Sequence, residues 1–186
     1  VETIKNKYEK YKMVIWLIGM SGAGKTTIGK ELWLKIKERD KKTVFLDGDL
    51  LRDVWGDKLN HSIEDRYKNA HRISNLCKLL DSQGINVIAC VLSIFPEWQE
   101  WNRNNFSNYF EVLVKTPLEI LKKIDDKGIY AKALRGEIKN VVGVDIPFPT
   151  PKNPDVVIDN SSREKNPKKI AKDLFRIIEK DKGYLF

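Results

Sequence analysis

The chain has 186 residues, of which 41% are hydrophobic and 32% are charged, and its formal net charge is +8. This length and composition predict one soluble globular domain rather than two domains or a disordered chain. No uncharged stretch is long enough to cross a bilayer, and the scattered positive charges favour a small anionic ligand, so we expect neither a membrane nor a nucleic-acid partner.

Five short apolar runs alternate with helical stretches along the chain. The predicted strands are 13–18, 43–46, 85–92, 109–114 and 155–158, and the predicted helices are 25–39, 63–82, 97–105, 118–124 and 167–181. The runs are rich in Val and Ile and apolar on both faces, as in parallel strands covered by helices. After a charged N-terminal arm over 1–12, residues 13–186 are therefore predicted to form a single three-layer α/β domain with a mostly parallel sheet.

Residues 125–154 interrupt this alternation. The segment holds three glycines, four prolines and no long apolar run, and its positive residues include Lys127, Lys132, Arg135 and Lys139. A segment of this length without strands of its own, inside a compact domain, is more often functional than a plain connector. We therefore expect a basic lid.

The cysteines and two tryptophans bear on location and assembly. Cys77 and Cys90 belong to no CxxC pair and are expected to be buried thiols in a reducing compartment, so the predicted location is cytoplasmic.

Trp98 and Trp101 lie three residues apart on a predicted helix. Three placements stay open for them: the core, the wall of a ligand pocket, or the surface of a homodimer.

A phosphate-binding loop follows the first predicted strand. Residues 19–26 match the pattern G-x-x-x-x-G-K-[ST], and a helix is predicted to begin at Lys25. Successive N–H groups of such a loop bind phosphate, the lysine contacts the β- and γ-phosphates, and the Thr26 hydroxyl binds Mg²⁺. The expected ATP-binding residues are Gly19, Ser21, Gly22, Ala23, Gly24, Lys25, Thr26 and Thr27.

Acidic residues end the second predicted strand. Because ligands of such sheets bind beyond the carboxyl ends of strands, Asp47 and Asp49 should lie beside the phosphate loop. A carboxylate there can hold Mg²⁺-bound water or take a proton from an attacking hydroxyl. Arg52, on the following helix, could join Arg66 and Asn69 of the next helix around an anion. The alternative for that second helix is a solvated helix with ordinary surface arginines.

Four segments together resemble one family. GMSGAGKT, DGDLLR, DRYKNAHR and KGIYAKALRGEIKNVVGVDIPF occur in the order and at the spacings found in adenylyl-sulfate kinases, and the resemblance extends over residues 13–159. It implies phosphorylation of the ribose 3′-hydroxyl of adenylyl sulfate, with ATP and Mg²⁺. It also implies that Asp49 lies nearest the acceptor hydroxyl, that Arg52, Arg66 and Asn69 hold the phosphosulfate, and that the lid closes over both nucleotides.

The residues expected at the site are therefore of two kinds. The catalytic candidates are Asp49, Lys25 and Ser93, the last of which aligns with a serine after the family's third strand. The acceptor-binding candidates are Asp47, Arg52, His61, Arg66, Asn69, Phe95, Lys127 and Lys139, with Lys132 and Arg135 elsewhere in the lid.

The chain departs from the family pattern where the acceptor base is held. Two phenylalanines that clamp the adenine in the family are replaced by His61 and Val141, and the arginines that usually follow the position of Ser93 are absent. A related kinase acts on cytidine diphosphoramidate, and its smaller base would suit such a pocket. A third hypothesis, from another class of function, is a nucleotide-binding module that has lost turnover.

Overall fold

A computed structural model describes residues 12–56, 59–162 and 166–182, so the predicted N-terminal arm lies outside the described residues except for Lys12. The strands are β1 (Val14–Ile18), β2 (Thr43–Asp47), β3 (Asn86–Val91), β4 (Tyr109–Lys115) and β5 (Val156–Asp159). The helices are α1 (Lys25–Arg39), α2 (Gly48–Val54), α3 (Ile63–Ser82), α4 (Pro96–Asn105), α5 (Leu118–Lys123), α6 (Ile129–Leu134) and α7 (Pro167–Lys182). All strand pairs in this sheet are parallel, in the order β2-β3-β1-β4-β5, which confirms the predicted sheet.

Alternate residues of the central strand face two different helical layers. Ile15 and Leu17 of β1 pack with α1 and α7 in one apolar cluster. Trp16 and Ile18 belong to a second cluster, formed with α2, α3 and the end of α4. Successive side chains of a strand point to opposite faces, so a strand that is apolar at every position needs cover on both sides. The predicted three-layer arrangement is thereby confirmed.

Helix α1 approaches the sheet closely because it has a glycine on its inner face. A Cβ atom added at Gly29 would lie 2.3 Å from the Sγ atom of Cys90 on β3, so no larger residue fits without a shift. Cys90 and Cys77 are both buried free thiols, as predicted. Burial raises the pKa of each thiol well above its ordinary value, so both are un-ionised near neutral pH.

Two short helices complete the fold. Helix α2, which the sequence predicts around Arg52 without bounds, begins at Gly48, directly after β2. Helix α6 lies inside the segment predicted as a lid, and no helix is predicted there. Asp125 supports α6 by accepting the N–H groups of Ile129 at 2.9 Å and Ala131 at 2.8 Å. Such side-chain caps stabilise short helices that periodicity alone does not reveal.

Candidate active site

The candidate site lies beyond the carboxyl ends of β1, β2 and β3. The phosphate loop follows β1, Asp47 ends β2, and Ser93 lies two residues beyond β3. These three strands are neighbours in the sheet, which brings together residues that are far apart in the chain. This edge is where parallel α/β sheets bind ligands.

The backbone of the phosphate loop takes a conformation that requires glycine. Gly22 and Gly24 have φ angles of 76° and 99°, in the left-handed region. The Lys25 Nζ atom donates to the Met20 carbonyl oxygen at 2.8 Å, so the ammonium folds back over the loop. Burial lowers the pKa of Lys25, while the carboxylates of Asp49 and Asp47 oppose that shift. The loop thus holds its lysine among the acidic residues of β2 and α2.

Two side chains from distant segments contact the outside of this loop. The Tyr130 hydroxyl donates to the Ser21 carbonyl oxygen at 2.8 Å, and the Asn160 Nδ2 atom donates to the Ala23 carbonyl oxygen at 2.9 Å. The sequence patterns assign neither residue a role. Asn160 could have been suspected because it follows a strand at the ligand-binding edge, whereas nothing local to Tyr130 indicates its partner.

Asp47 joins the phosphate loop to α2. Its Oδ2 atom accepts the Thr26 hydroxyl at 2.7 Å. Its Oδ1 atom accepts the backbone N–H groups of Asp49 at 3.0 Å and Leu50 at 3.4 Å, so it caps the helix. The hydroxyl and carboxylate oxygens are hard ligands of the kind that suit Mg²⁺. Within the described residues no group of three or more His, Cys, Asp or Glu side chains could hold a metal ion.

Asp49 faces the lid across the cleft. Its Oδ2 atom lies 3.6 Å from the Lys127 Nζ atom, and both side chains are mostly exposed. Exposed pairs of this kind contribute little to stability. The contact nevertheless places a lysine of the lid next to the Asp49 carboxylate of α2.

The two arginines expected at the acceptor both bind main-chain carbonyls. Arg52 donates to the Asn60 oxygen at 2.8 Å. Arg66 donates from Nε to the His61 oxygen at 2.9 Å, and from a terminal nitrogen to the Asn140 oxygen at 2.8 Å. Burial lowers the pKa of Arg66, and the nearby Arg52 charge lowers it further. Arg66 therefore ties the loop before α3 to the lid, with a second cation close by.

His61 and Asn69 occupy different environments near this pair. Burial lowers the pKa of His61, and the charges of Arg66 and Arg52 lower it further, so the imidazole is neutral at pH 7. Asn69 is buried on α3, and its Oδ1 atom accepts the indole N–H of Trp55 at 2.8 Å. His61 thus lies among the arginines, while the carbonyl side of Asn69 supports α2.

Ser93 and Phe95 lie on the segment between β3 and α4. Ser93 has a φ angle of 51°, which is uncommon for a residue other than glycine. Gln99 stabilises it by donating from Nε2 to the Ser93 carbonyl oxygen at 3.1 Å and to its hydroxyl at 3.3 Å. Phe95 packs edge-on against Tyr67 of α3, with ring centroids 5.1 Å apart. Both residues are therefore positioned by α3 and α4 rather than by the phosphate loop.

The tryptophans of α4 belong to an aromatic cluster. Trp98 packs against Tyr67 and His71 of α3 and against Trp101. Trp101 packs in turn against Phe106. Of the three placements that the sequence leaves open, these contacts support the core for Trp101, which packs against the second apolar cluster.

The lid residues divide into an exposed set and a buried set. Lys132, Arg135 and Lys139 are exposed, and Arg135 pairs with Glu137 in its own loop. Val141 is buried in an apolar cluster with Leu121, Tyr130 and Met20, the last of which belongs to the phosphate loop. The Val141 side chain therefore packs between the lid, α5 and the phosphate loop.

Comparison with known proteins gives concordant matches. Residues 11–159 match the family described as Adenylylsulphate kinase. The chain is 41% identical over 157 residues to the cytidine diphosphoramidate kinase of Campylobacter jejuni, and the match covers 84% of this chain and 91% of that protein. It is 38% identical over 152 residues to a probable adenylyl-sulfate kinase of Archaeoglobus fulgidus, covering 82% and 98%.

A solved structure agrees with these matches. The chain resembles the Mycobacterium tuberculosis APS kinase CysC in complex with AMPPNP and APS, with a TM-score of 0.82, 31% identity, and coverage of 91% of this chain and 98% of that one. In the part of the chain that the structure describes, no helix is both long and apolar enough to span a membrane.

Proposed function

The chain belongs to the adenylylsulphate kinase family, and from this premise we propose that it transfers the γ-phosphoryl group of ATP to the ribose 3′-hydroxyl of a nucleotide with an anionic 5′ group. That it is a kinase acting on a hydroxyl follows from the family. The observation that carries the finer proposal is the junction at Asp47, where one carboxylate bonds Thr26 of the phosphate loop and begins the helix that bears Asp49 and Arg52.

The donor half of the site consists of the phosphate loop and its lysine. In this proposal the loop N–H groups bind the β-phosphate, and Lys25 moves from the Met20 oxygen to the β- and γ-phosphates. Thr26, with Asp47 behind it, would hold Mg²⁺, which supplies positive charge to the phosphate oxygens. The buried lysine is suited to this task because a cation in a low-dielectric site interacts strongly with developing negative charge.

The acceptor half brings the attacking hydroxyl to Asp49. The acceptor O3′ forms a bond to the γ-phosphorus, the bond from that phosphorus to the bridging oxygen breaks, and ADP leaves. The proton of the 3′-hydroxyl passes to the Asp49 carboxylate. Lys127, which lies 3.6 Å from that carboxylate, can then neutralise charge on the transferred group. Arg52 and Arg66 supply the positive charge for the 5′ group, and residues 125–154 act as the lid.

A second acceptor is favoured by the altered base pocket. Adenylyl sulfate is the family's default acceptor, but Val141 is a buried aliphatic side chain and His61 is a neutral imidazole. Stacking on an aromatic side chain contributes about 1–3 kcal/mol of binding free energy per base. Without the two phenylalanines, an adenine would lose more of this free energy than a smaller pyrimidine base would. Cytidine diphosphoramidate is therefore the second candidate, in keeping with the name of the relative that is 41% identical.

Side-by-side phosphorylation rates test this proposal. With saturating ATP and Mg²⁺, the protein is expected to phosphorylate a cytidine 5′-diphosphate analogue with a kcat/KM at least comparable to that for adenylyl sulfate. An advantage of about 100-fold for adenylyl sulfate, a difference of about 2.7 kcal/mol in transition-state binding, would establish the family's default acceptor. Tight ATP binding without turnover of either acceptor would instead indicate the nucleotide-binding module.

A further inference from the structure

We infer that Tyr130 and Asn160 are positioning residues that orient two peptide groups of the phosphate loop for nucleotide binding. The inference rests on the proposed function to the extent that the loop binds the phosphates of ATP. It concerns two residues that the loop pattern does not include, which lie 109 and 137 positions away from the carbonyl groups they bind.

The contact from Tyr130 comes from a buried side chain and is directional. Tyr130 is 2% exposed, and it packs in the apolar cluster that includes Met20 of the loop. Its hydroxyl donates to the Ser21 oxygen at 2.8 Å. Burial raises the pKa of Tyr130 to about 12, so the hydroxyl keeps its proton and remains a donor at neutral pH.

Asn160 forms a hydrogen bond of similar length with the loop, 2.9 Å against 2.8 Å for Tyr130. Asn160 is held at the end of β5, where its backbone N–H donates to the Lys115 oxygen at 2.9 Å. Its side-chain amide donates to the Ala23 oxygen, and a Cβ atom at Gly24 would lie only 2.7 Å from that amide nitrogen. The amide is therefore packed directly against the peptide that joins Ala23 to Gly24.

Peptide geometry converts these two contacts into an orientation of donors. The described peptide bonds are all trans, and in a trans peptide the C=O and N–H groups point in opposite directions. Holding the Ser21 and Ala23 oxygens from outside therefore turns the N–H groups of Gly22 and Gly24 away from Tyr130 and Asn160. Both glycines have left-handed φ angles, and glycine tolerates either sign of φ. Without the two outside contacts, each peptide loses a hydrogen bond that fixes its orientation.

The consequence is specific to nucleotide binding. A rotated peptide presents a carbonyl oxygen where a phosphate needs a donor, so binding weakens although the fold persists. Because Tyr130 lies on α6, the correct loop conformation also depends on the seating of that part of the lid. Loss of the Tyr130 hydroxyl should therefore raise the KM for ATP more than the KM for the acceptor.

Nucleotide binding without acceptor tests the inference. We expect Tyr130→Phe and Asn160→Ala each to weaken binding of the ATP analogue AMPPNP, with Mg²⁺ present, by roughly 5- to 10-fold, the scale of one lost neutral hydrogen bond. The matched control is Tyr109→Phe. Tyr109 is also buried, and its hydroxyl donates to Glu111 at 2.7 Å on β4, away from the loop. Circular dichroism melts show whether each variant is folded.

The outcomes distinguish failure of the positioning role from failure of the proposed kinase site. AMPPNP affinity within twofold of the wild type in folded Tyr130→Phe, or an equal loss in Tyr109→Phe, would overturn the role of Tyr130. If Tyr130→Phe does not fold, Asn160→Ala decides by the same measure. A wild-type protein that does not bind AMPPNP would refute the proposed kinase site itself, and this inference with it.

Discussion

Replacing Asp47 by alanine and by asparagine should separate two tasks of one carboxylate. Its Oδ1 atom caps α2, and its Oδ2 atom accepts the Thr26 hydroxyl. Alanine removes both contacts. Asparagine keeps a carbonyl oxygen for the cap and can still form a hydrogen bond with Thr26, but it carries no charge.

The expected magnitudes follow from these contacts. An N-cap contributes about 1 kcal/mol, and a hydrogen bond to a charged, buried partner contributes about 1.5–3 kcal/mol. Because Asp47 is only 8% exposed, its hydrogen bond with Thr26 should contribute most of that free energy. Asp47→Ala should therefore lower the free energy of unfolding by about 2.5–4 kcal/mol, whereas Asp47→Asn should lower it by about 1 kcal/mol or less. For a chain of this size these values correspond to about 5–15 °C and 2–4 °C in Tm.

Turnover should not follow stability in this pair. Both variants lose the negative charge behind Thr26, so both should lose about 10- to 100-fold in activity at limiting Mg²⁺, the usual effect of removing a partner of a metal ligand. The assays are a thermal melt and an Mg²⁺ titration of turnover, with Asp53→Asn, an exposed residue of the same helix, as control. Equal destabilisation by Ala and Asn would refute the capping argument. Unchanged Mg²⁺ dependence in Asp47→Asn would refute the role at the metal.

Four further substitutions test other parts of the site and core. Lys25→Ala should abolish transfer while its thermal melt shows a folded protein, since its ammonium is assigned to the transferring phosphates; wild-type turnover would exclude that role. Asp49→Asn should reduce turnover by about 100-fold or more with ATP affinity unchanged, whereas Lys127→Ala should reduce it less; a change in Mg²⁺ affinity alone would make Asp49 a metal-site residue. Gly29→Ala should destabilise by about 1–3 kcal/mol despite the better helix propensity of alanine, because its Cβ atom would lie 2.3 Å from the Cys90 sulfur; a raised Tm would contradict this.

Local patterns in the sequence were sufficient for the parallel sheet and for the phosphate loop. β1 is apolar at every position, and the loop follows it directly. Patterns of this kind depend on neighbours in the chain, so they are visible without a structure. The exact start of α2 was not predictable in this way. The helix begins at Gly48 because the Asp47 side chain accepts the N–H groups of Asp49 and Leu50.

Contacts between distant segments were not predictable from the same patterns. Asn160 and Tyr130 reach the phosphate loop only after β5 and α6 have been placed beside it. The buried position of Val141 depends in the same way on Leu121 and Met20. The family resemblance therefore predicts an altered base pocket, but it does not predict where the Val141 side chain packs.

In the proposed site, Arg66 would frame the acceptor pocket and would also bind the acceptor. Its contacts with the His61 and Asn140 oxygens use two of the five N–H donors of a guanidinium. The other three can meet an anion without releasing either carbonyl, because the donors lie in a rigid planar fork. A lysine could not do both, since its charge is a single flexible point. If the proposed acceptor site is correct, the distance between the His61 loop and the lid is set by the same residue that binds the 5′ group. Charge recognition and the space left for the base would then be coupled, and a change of base would require changes around Arg66 rather than of Arg66 itself.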